Sequence, residues 1–508
     1  MPEEPGGQPA LLGIDLGTSS VKVVVIDLEG RALASTSAAY PVDTPESGWA
    51  ETDPALWWEA VVGSTRAAVA ASAGAKPVAI GFSGQMHGLV ATAADGRPLR
   101  AAMLWSDSRA VGELEAYRSL PASLRDRLGN PLTPGMAGPM LAWLAHHERE
   151  TYDATRWALQ PKDWLRAKLT GQFHAEPSDA SATLLYDVVN DGWDRELVES
   201  LGLDPGLLAP LLPAAGQAAG VLLPAPAAEL GLDPGIPVAA GAGDTAAAAL
   251  GSGLALGDSQ LTIGTGAQIV TPSMAPTADS VRGAAAVTHL YRAATDAGWY
   301  AMAAGLNGGS TLDWVRLLLG ASWGELYATA AVEPLRDDPL FLPHLAGERT
   351  PYLDSGLRGA WIGLCPSHDR SRLLRAALEG VAFAVRDAMA ALRSSDVALD
   401  DVRLAGGGTT DAAWRQLLAD VLDCRFRPVD TSGASGRGAA LLGARAADLL
   451  TEAEVFALIP RVREPSVFPR PDYVALYDER FAAFRGAVSA LRQSMNVMSS
   501  AKADSSRR

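Results

Sequence analysis

Short apolar segments alternate along the chain with longer segments of helical periodicity. Runs rich in β-branched residues that end at turn residues predict strands, namely Leu11–Asp15, Val21–Asp27, Ala32–Ser37, Val78–Phe82 and Val402–Leu404. Helical spacing of apolar residues predicts helices, namely Pro54–Ala71, Pro161–Leu169, Arg372–Leu392, one that starts at Asp411 and one over Tyr473–Arg492. This alternation is typical of an α/β fold.

Length and local composition divide the chain further. With 508 residues the chain is too long for one hydrophobic core, so two or more domains are expected. We place the domains at residues 11–250 and 251–494. The ends, 1–10 and 495–508, are polar or rich in small residues and are predicted to be disordered. A stretch rich in Pro, Ala and Gly, 203–237, predicts a surface excursion before a new strand at Val238–Gly241.

The segment Leu11–Val25 predicts a strand, a tight turn and a second strand. Successive backbone N–H groups in such a turn form a nest for anions, here Gly17, Thr18 and Ser19. Asp15 at the mouth of the nest would repel a bare phosphate, so its presence favours a divalent cation between them. An ordinary hairpin with a polar turn is the alternative for this segment alone.

A second segment, Gln260–Val270, repeats this design around Gly264, Thr265 and Gly266. Two such hairpins, one in each half of the chain, could hold a nucleotide phosphate tail from both sides. The repetition therefore favours phosphate binding at both turns over two unrelated hairpins.

Two later glycine-rich segments could also bring the backbone close to a ligand or to another element. Gly406, Gly407 and Gly408 lie after a strand and before a helix, where open α/β sheets bind ligands, and they allow close approach of an adenine or ribose. Gly433–Gly443 opens another helix, and its small face favours a close helix–sheet contact over a ligand contact.

Asp244 ends the apolar segment 238–243 and precedes an Ala-rich helix. Phosphoryl transfer to a hydroxyl needs a carboxylate that orients the acceptor and takes its proton. A helix N-cap is the alternative role for an aspartate at this position. Together with the two hairpins, the sequence favours Asp244 as the base, and capping is compatible with that role.

Candidate substrate contacts lie in two further segments. In Gly84–Gly88, two glycines flank Gln85, Met86 and His87, whose side chains offer the polar groups and the apolar wall that a polyol requires. Downstream, Trp105 and Asp107 place a carboxylate next to an indole and Arg109. The alternative for this second segment is a structural Asp–Arg pair beside a core tryptophan.

The net charge of −16 argues against a nucleic-acid partner or an anionic membrane surface. Two cysteines, Cys365 and Cys424, cannot form a disulfide framework, and no signal peptide or long apolar span is visible. These observations predict a cytoplasmic protein.

The motifs together resemble the FGGY family of carbohydrate kinases over about residues 11 to 490. The resemblance implies two actin-like (ribonuclease H-like) domains around a deep cleft, as in the superfamily of actin, hexokinase and the Hsp70 ATPase. The first domain would bind the sugar and the second the nucleotide. Gly84–Gly88, Pro161–Asp163 and Ser178–Ser181 are most similar to the branch that phosphorylates D-xylulose at its 5-hydroxyl with ATP and Mg²⁺.

Carried over by position, the resemblance makes Asp244 the base, and Met86 and His87 sugar contacts. Asp15 and Asp244 would lie near Mg²⁺, partly through water, and Thr18 and Thr265 would bind phosphates. The resemblance further implies that Gly407 and Gly408 face the adenosine. A homodimer is common in the family.

Two departures leave the substrate open. Thr245 follows the base where many relatives have Asn, and the second turn reads Gly264–Ala267 where related sequences often have Gly-Thr-Ser-Gly. The alternatives are a kinase of the same family for another ketopentose, a polyol or a sugar acid, and a non-catalytic ATP-dependent switch on the same scaffold.

Overall fold

The structure, a computed structural model, describes residues 7–282, 286–393, 397–459 and 465–505, the last ten of these as backbone only. The predicted tails fall partly outside these ranges, at residues 1–6 and 506–508. The described parts of both tails contain regular secondary structure, whereas the sequence predicted disorder. The first strand begins at Pro9, and the last helix continues to Ser505.

The first half of the chain contains a large mixed sheet, its covering helices and several two-stranded ribbons. Its strands are β1 Pro9–Leu16, β2 Ser20–Asp27, β3 Ala32–Ala39, β4 Glu51–Thr52, β5 Lys76–Gly84, β6 Val90–Thr92, β7 Ala102–Met103, β8 Trp157–Leu159, β9 Tyr186–Asp187, β10 Gly192–Trp193, β11 Ala218–Val221, β12 Pro237–Ala239 and β13 Ala242–Gly243. Its helices are α1 Pro54–Ala71, α2 Leu114–Ser119, α3 Ala122–Arg125, α4 Ala137–His147, α5 Arg149–Ala154, α6 Pro161–Thr170, α7 Pro177–Ala180, α8 Arg195–Ser200, α9 Pro224–Leu230 and α10 Asp244–Gly251.

The second half repeats this layout with a second mixed sheet. Its strands are β14 Gln260–Ile263, β15 Ala267–Ser273, β16 His289–Arg292, β17 Trp299–Gly305, β18 Leu340–Leu342, β19 Ala360–Ile362, β20 Asp401–Ala405 and β21 Arg425–Pro428. Its helices are α11 Ala278–Val281, α12 Gly309–Leu318, α13 Trp323–Ala328, α14 Arg370–Arg393, α15 Ala412–Leu422, α16 Ala434–Ala446, α17 Glu452–Ala457 and α18 Pro471–Ser505. Single 3₁₀ turns lie at Arg109–Glu113, Asp126–Leu128, Pro205–Leu207, Thr329–Ala331 and Gly407–Thr409.

The two large sheets share one topology. The first runs β11-β12-β5-β1-β2-β3, with β1, β2 and β3 antiparallel neighbours and β5 parallel to β1. The second runs β16-β17-β15-β14-β20-β21, with β14, β15 and β17 antiparallel neighbours and β20 parallel to β14. The predicted α/β class and both predicted hairpins are therefore confirmed.

The region 203–237 differs from the expected surface excursion. It contributes β11 at Ala218–Val221 and helix α9 at Pro224–Leu230, and β11 forms the edge of the first sheet beside β12. The Pro and Gly residues interrupt the apolar pattern, so the short strand carries little periodic signal.

Helix α16 crosses between the two halves. It follows β21 in the chain, yet it packs on β1, β5 and α10 of the first half. Glycines make this approach possible. A methyl group on Gly13 would clash with the backbone oxygen of Gly436, and one on Gly81 with that of Ala439. The predicted close helix–sheet contact of Gly433–Gly443 is confirmed, and its partner is the sheet of the first half.

Candidate active site

Three loops meet at one edge of the first sheet because the strands that precede them are parallel. Leu16 pairs with Gly84, and Gly243 also pairs with Gly84. The loops that follow are the first turn (Gly17–Ser19), the Met86 loop (Gly84–Gly88) and the start of α10 at Asp244. Parallel strands end at the same edge, so sequence segments more than 200 residues apart form one site.

The first turn is held by its neighbours. The N–H of Gly17 donates to the Ser20 oxygen at 2.9 Å. The Gly17 carbonyl accepts from the Tyr40 hydroxyl at 2.5 Å and from Gln85 Nε2 at 3.2 Å. Trp105 Nε1 donates to Thr18 Oγ1 at 2.8 Å. Gln85 and Trp105 therefore brace the turn itself, and the sugar contacts expected for them stay predictions.

Asp15 lies directly below this turn and faces a cation. In the β1–β2 register Asp15 is opposite Lys22, and Ser83 Oγ donates to Asp15 Oδ1 at 2.8 Å. Burial raises the pKa of Asp15, while the Ser83 hydrogen bond and the Lys22 charge lower it. Both residues line a cavity of about 290 Å³ that also reaches Thr245. Lys22 was not among the predicted site residues, although the strand alternation places it opposite Asp15.

Asp244 is the first residue of α10 and is half-buried, next to Thr245, which lines the same cavity as Asp15. The N-cap is Gly243, so the capping role considered for Asp244 is wrong. Asp244 Oδ1 accepts from the Thr245 N–H at 2.6 Å. Burial, and next the charge of Asp15, raise the pKa of Asp244 to about 6. A carboxylate with a pKa in this range is suited to take a proton near neutral pH.

The Met86 loop lies between the first turn and Asp244. His87 has a left-handed backbone, with φ of 75°, and its Nδ1 lies 2.8 Å from the Ala182 carbonyl oxygen. A carbonyl only accepts, so Nδ1 carries the proton and Nε2 is the acceptor. Burial lowers the pKa of His87 to about 4, which keeps the ring neutral. Met86 packs against Gly243, where an added methyl group would lie 2.7 Å from its Cγ.

Asp107 is occupied elsewhere. Its carboxylate accepts from the Ala50 N–H at 2.7 Å and pairs with Arg109 Nη2 at 2.7 Å. The Arg109 guanidinium in turn lies over the Trp49 ring, 3.6 Å from its centroid. The structure thus gives Asp107 the structural role that the sequence left as the alternative, because both oxygens serve local contacts.

A buried ionic cluster lies next to the start of α10. Lys162 Nζ lies 2.6 Å from Asp163 Oδ1, 3.0 Å from Glu176 Oε1 and 3.2 Å from Asp179 Oδ2, and all four side chains are fully buried. Ser178 Oγ donates to Glu176 Oε1 at 2.8 Å and accepts from the Gly243 N–H at 2.9 Å. The residue before Asp244 is therefore fixed by this cluster.

The second turn (Gly264–Gly266) lies at the corresponding edge of the second sheet and is more exposed. Its oxygens accept from the start of α12. The N–H of Gly309 donates to Gly264 at 2.8 Å, and that of Ser310 to Thr265 at 3.0 Å. Because Thr262 pairs with Ala405 in parallel, Gly406–Gly408 lies beside this turn. A methyl group on Gly407 would meet no protein atom within 4 Å, so this backbone is open to a ligand.

The two carboxylates fit the ligand preference of Mg²⁺. The charge of Asp15 acts on Asp244, which places both acids at one site. Within the described ranges, no group of three or more acidic, His or Cys side chains forms a closed metal cage. Mg²⁺ in kinases is typically held by one or two carboxylates with phosphate oxygens and water, and this donor set matches that pattern.

Both halves of the chain match the FGGY family of carbohydrate kinases, residues 10–251 its N-terminal domain and residues 260–447 its C-terminal domain. The chain therefore belongs to the FGGY family and is a carbohydrate kinase. The fold expected from the resemblance is confirmed.

Individual relatives are xylulose kinases and a gluconokinase. The xylulose kinase of Escherichia coli (strain K12) is 33% identical over 480 residues, which cover 93% of this chain and 97% of that protein. The crystal structure of a xyloylose kinase from Brucella ovis has a TM-score of 0.87 at 33% identity, covering 95% of this chain and 99% of that one. The gluconokinase of Bacillus subtilis (strain 168) is 28% identical over 455 residues, 85% of this chain and 86% of that protein. In the described part of this chain, every helix is too short or too polar to traverse a bilayer.

Proposed function

We propose that this kinase transfers the γ-phosphoryl group of ATP to the 5-hydroxyl of D-xylulose, with Asp244 as the base. The observation that carries the proposal is the position of Asp244 beside the Met86 loop, which has the first turn on its other side, together with a pKa of Asp244 raised to about 6. The xylulose kinases among the relatives support the choice of sugar.

In this proposal the sugar lies against Met86, with the His87 Nε2 atom accepting from one of its hydroxyls. Asp244 accepts a hydrogen bond from the reacting hydroxyl, aligns it with the γ-phosphorus and takes its proton as the new P–O bond forms. Because Gly243 is held by Ser178, the carboxylate is positioned before the substrate arrives.

The phosphates of ATP lie between the two turns, and the adenosine lies near Gly407 and Gly408. The backbone N–H groups of both turns and Lys22 offset their charge. Mg²⁺, held by Asp15 and Asp244 partly through water, supplies further neutralisation of phosphate charge when bound. The protein must provide these local donors because its own net charge is −16.

The test is ADP release from the purified protein with ATP and Mg²⁺, measured with D-xylulose, with other ketopentoses and polyols, with gluconate and without any sugar. Turnover that is fastest with D-xylulose supports the proposal. Faster turnover with another sugar or with gluconate contradicts the substrate but retains the kinase. Slow, sugar-independent hydrolysis across the whole panel would identify an ATP-dependent switch instead.

A sugar acid is the second candidate substrate. One observation favours it, namely the cation of Arg349, whose charge acts on the ring of His87. The gluconokinase relative is consistent with it. The gluconate arm of the same assay decides between the two.

A further inference from the structure

Arg349 reaches the cleft from the second half of the chain on a firmly held segment. The preceding residue, Glu348, accepts from the Leu306 N–H at 2.8 Å, from Asn307 Nδ2 at 3.0 Å and from the Arg349 N–H at 3.0 Å. On the other side, the Thr350 N–H donates to the Ala304 oxygen at 3.0 Å. The backbone of Arg349 is therefore fixed, and the nearest carboxylate is already used by other donors.

The Arg349 guanidinium has an unusual environment. It lies over the Trp105 ring, 5.1 Å from the centroid, and makes no hydrogen bond or ion pair with any residue in the described ranges. Burial lowers its pKa, which reflects the cost of holding this charge away from water. A largely buried arginine normally pairs with a carboxylate, as Arg109 does here. The free donors of Arg349 therefore point to a ligand.

The position of Arg349 divides the cleft into two ends. The rings of His87 and His289 both pack on Tyr291, at 5.8 and 5.4 Å between centroids. Burial lowers the pKa of both histidines and the charge of Arg349 adds to the effect, so Arg349 lies at the His87 side of the pocket. The pKa of Asp244 responds instead to the charge of Asp15. A substrate whose hydroxyl meets Asp244 would present its other end to Arg349.

The chemistry of the proposed sugar identifies what lies at that end. A 2-ketopentose forms its ring through the 5-hydroxyl, so a molecule that is phosphorylated at this hydroxyl must be open-chain. The open-chain form carries a free carbonyl at carbon 2, whose oxygen only accepts hydrogen bonds. The planar guanidinium, with five N–H donors and no acceptor, is complementary to such an oxygen.

On this basis we infer that Arg349 donates to the carbonyl oxygen of the open-chain ketose and makes the site select ketoses over polyols. The inference rests on the proposed function. It adds that Arg349 recognises the carbonyl end of the sugar, which is remote from the reacting hydroxyl. Trp105 keeps the guanidinium in place, since it is itself anchored to Thr18.

The test compares the wild type, Arg349→Met, Arg349→Lys and the control Arg358→Met in ADP release with D-xylulose and with xylitol, which lacks the carbonyl. Arg358 is an exposed arginine of the same region that donates only to the Ser355 and Leu357 oxygens. We expect Arg349→Met to lower kcat/KM for D-xylulose about 10- to 100-fold, mainly through KM, the range for a hydrogen bond to a charged group. The kcat/KM for xylitol should change much less in this variant. Arg349→Lys should recover part of the ketose preference. Arg358→Met should have the kcat/KM values of the wild type.

An unchanged ratio of D-xylulose to xylitol in Arg349→Met would overturn the inference, and an equal loss with both sugars would assign Arg349 to holding Trp105. Loss of gluconate turnover in this variant, with D-xylulose turnover retained, would assign the cation to a carboxylate instead. If the wild type itself does not use D-xylulose, the proposed function fails rather than the role of Arg349. Melting temperatures of all four proteins separate these outcomes from misfolding.

Discussion

The first and second turns occupy equivalent places in two sheets of the same topology, yet they differ in charge. In the first hairpin, Asp15 and Lys22 form the second cross-strand pair from the turn. The equivalent pair in the second hairpin is Thr262 and Gln268. The chain has thus kept one backbone design twice while retaining the charged groups in one copy only.

This difference separates the tasks of the two halves. The first turn lies beside the proposed base and the Met86 loop, where burial and the charge of Asp15 raise the pKa of Asp244. The second turn relies on its backbone and on the start of α12. One side chain of the second hairpin reaches the other half, because Gln268 Nε2 donates to Thr245 Oγ1 at 3.2 Å. Under the proposed function, the charged pair lies where the phosphoryl group is transferred, and the neutral pair lies where the nucleotide is bound.

The strongest test of this division is Asp244→Asn. We expect kcat to fall by about 10³-fold, within the range for loss of a general base. The folded-state pKa of about 6 lies above the unfolded value of about 4, so ionised Asp244 destabilises the fold as the pH rises between these values. At pH 7 the variant should therefore melt no lower than the wild type. Near-normal turnover would remove Asp244 from the mechanism.

The second test exchanges the equivalent residues. Asp15→Asn should lower kcat by about 10²-fold, because it removes one of the two carboxylates proposed to hold Mg²⁺ beside the transferred phosphoryl group. Thr262→Val, at the matching position, should lower kcat by less than about tenfold, as expected for one neutral hydrogen bond. Steady-state kinetics measures both values. An equal loss of kcat in the two variants would show that the two hairpins contribute equally to catalysis.

The third test uses pH. The proposed base must be ionised, so kcat/KM should fall as the pH drops below about 6 and level off above it. Because Asp15 raises the pKa of Asp244 by like-charge repulsion, Asp15→Asn should shift this acidic limb to lower pH. Thr262→Val should leave the limb in place. A limb that does not move in Asp15→Asn would mean that the two carboxylates are not coupled.

The smallest expected effects concern the glycines of the two turns. A methyl group on Gly17 would lie 2.9 Å from the Ser20 oxygen, so Gly17→Ala should destabilise the fold by about 1 kcal/mol. Gly264 has no protein atom within 4 Å of this position, so Gly264→Ala should melt like the wild type and raise only the KM for ATP. Calorimetry measures the stability of both variants and ATP titrations measure their KM. A lower melting temperature for Gly264→Ala but not for Gly17→Ala would contradict the expectation that only the first turn is closely packed.

Local patterns were sufficient for much of the fold and of the site. Both hairpins, helix α1 and the place of Asp244 at the end of a strand follow from apolar periodicity and turn residues. The sequence left two roles open for Asp107, because the Arg109 pair is local but the second partner, Ala50, lies 57 residues away. Arg349 was not among the predicted site residues, since its neighbour Trp105 is far away in the sequence.

Helix α16 has a consequence for how the molecule is made. The first sheet is largely complete once β12 and β13 exist, but the face of β1 and β5 that carries Gly13 and Gly81 packs against residues 434–446. During synthesis from the N-terminus, almost 200 further residues must be added after β13 before helix α16 is available to pack on that face. Folding of the first domain is thus completed late, and a fragment that stops at residue 250 would leave an apolar, glycine-lined surface in water.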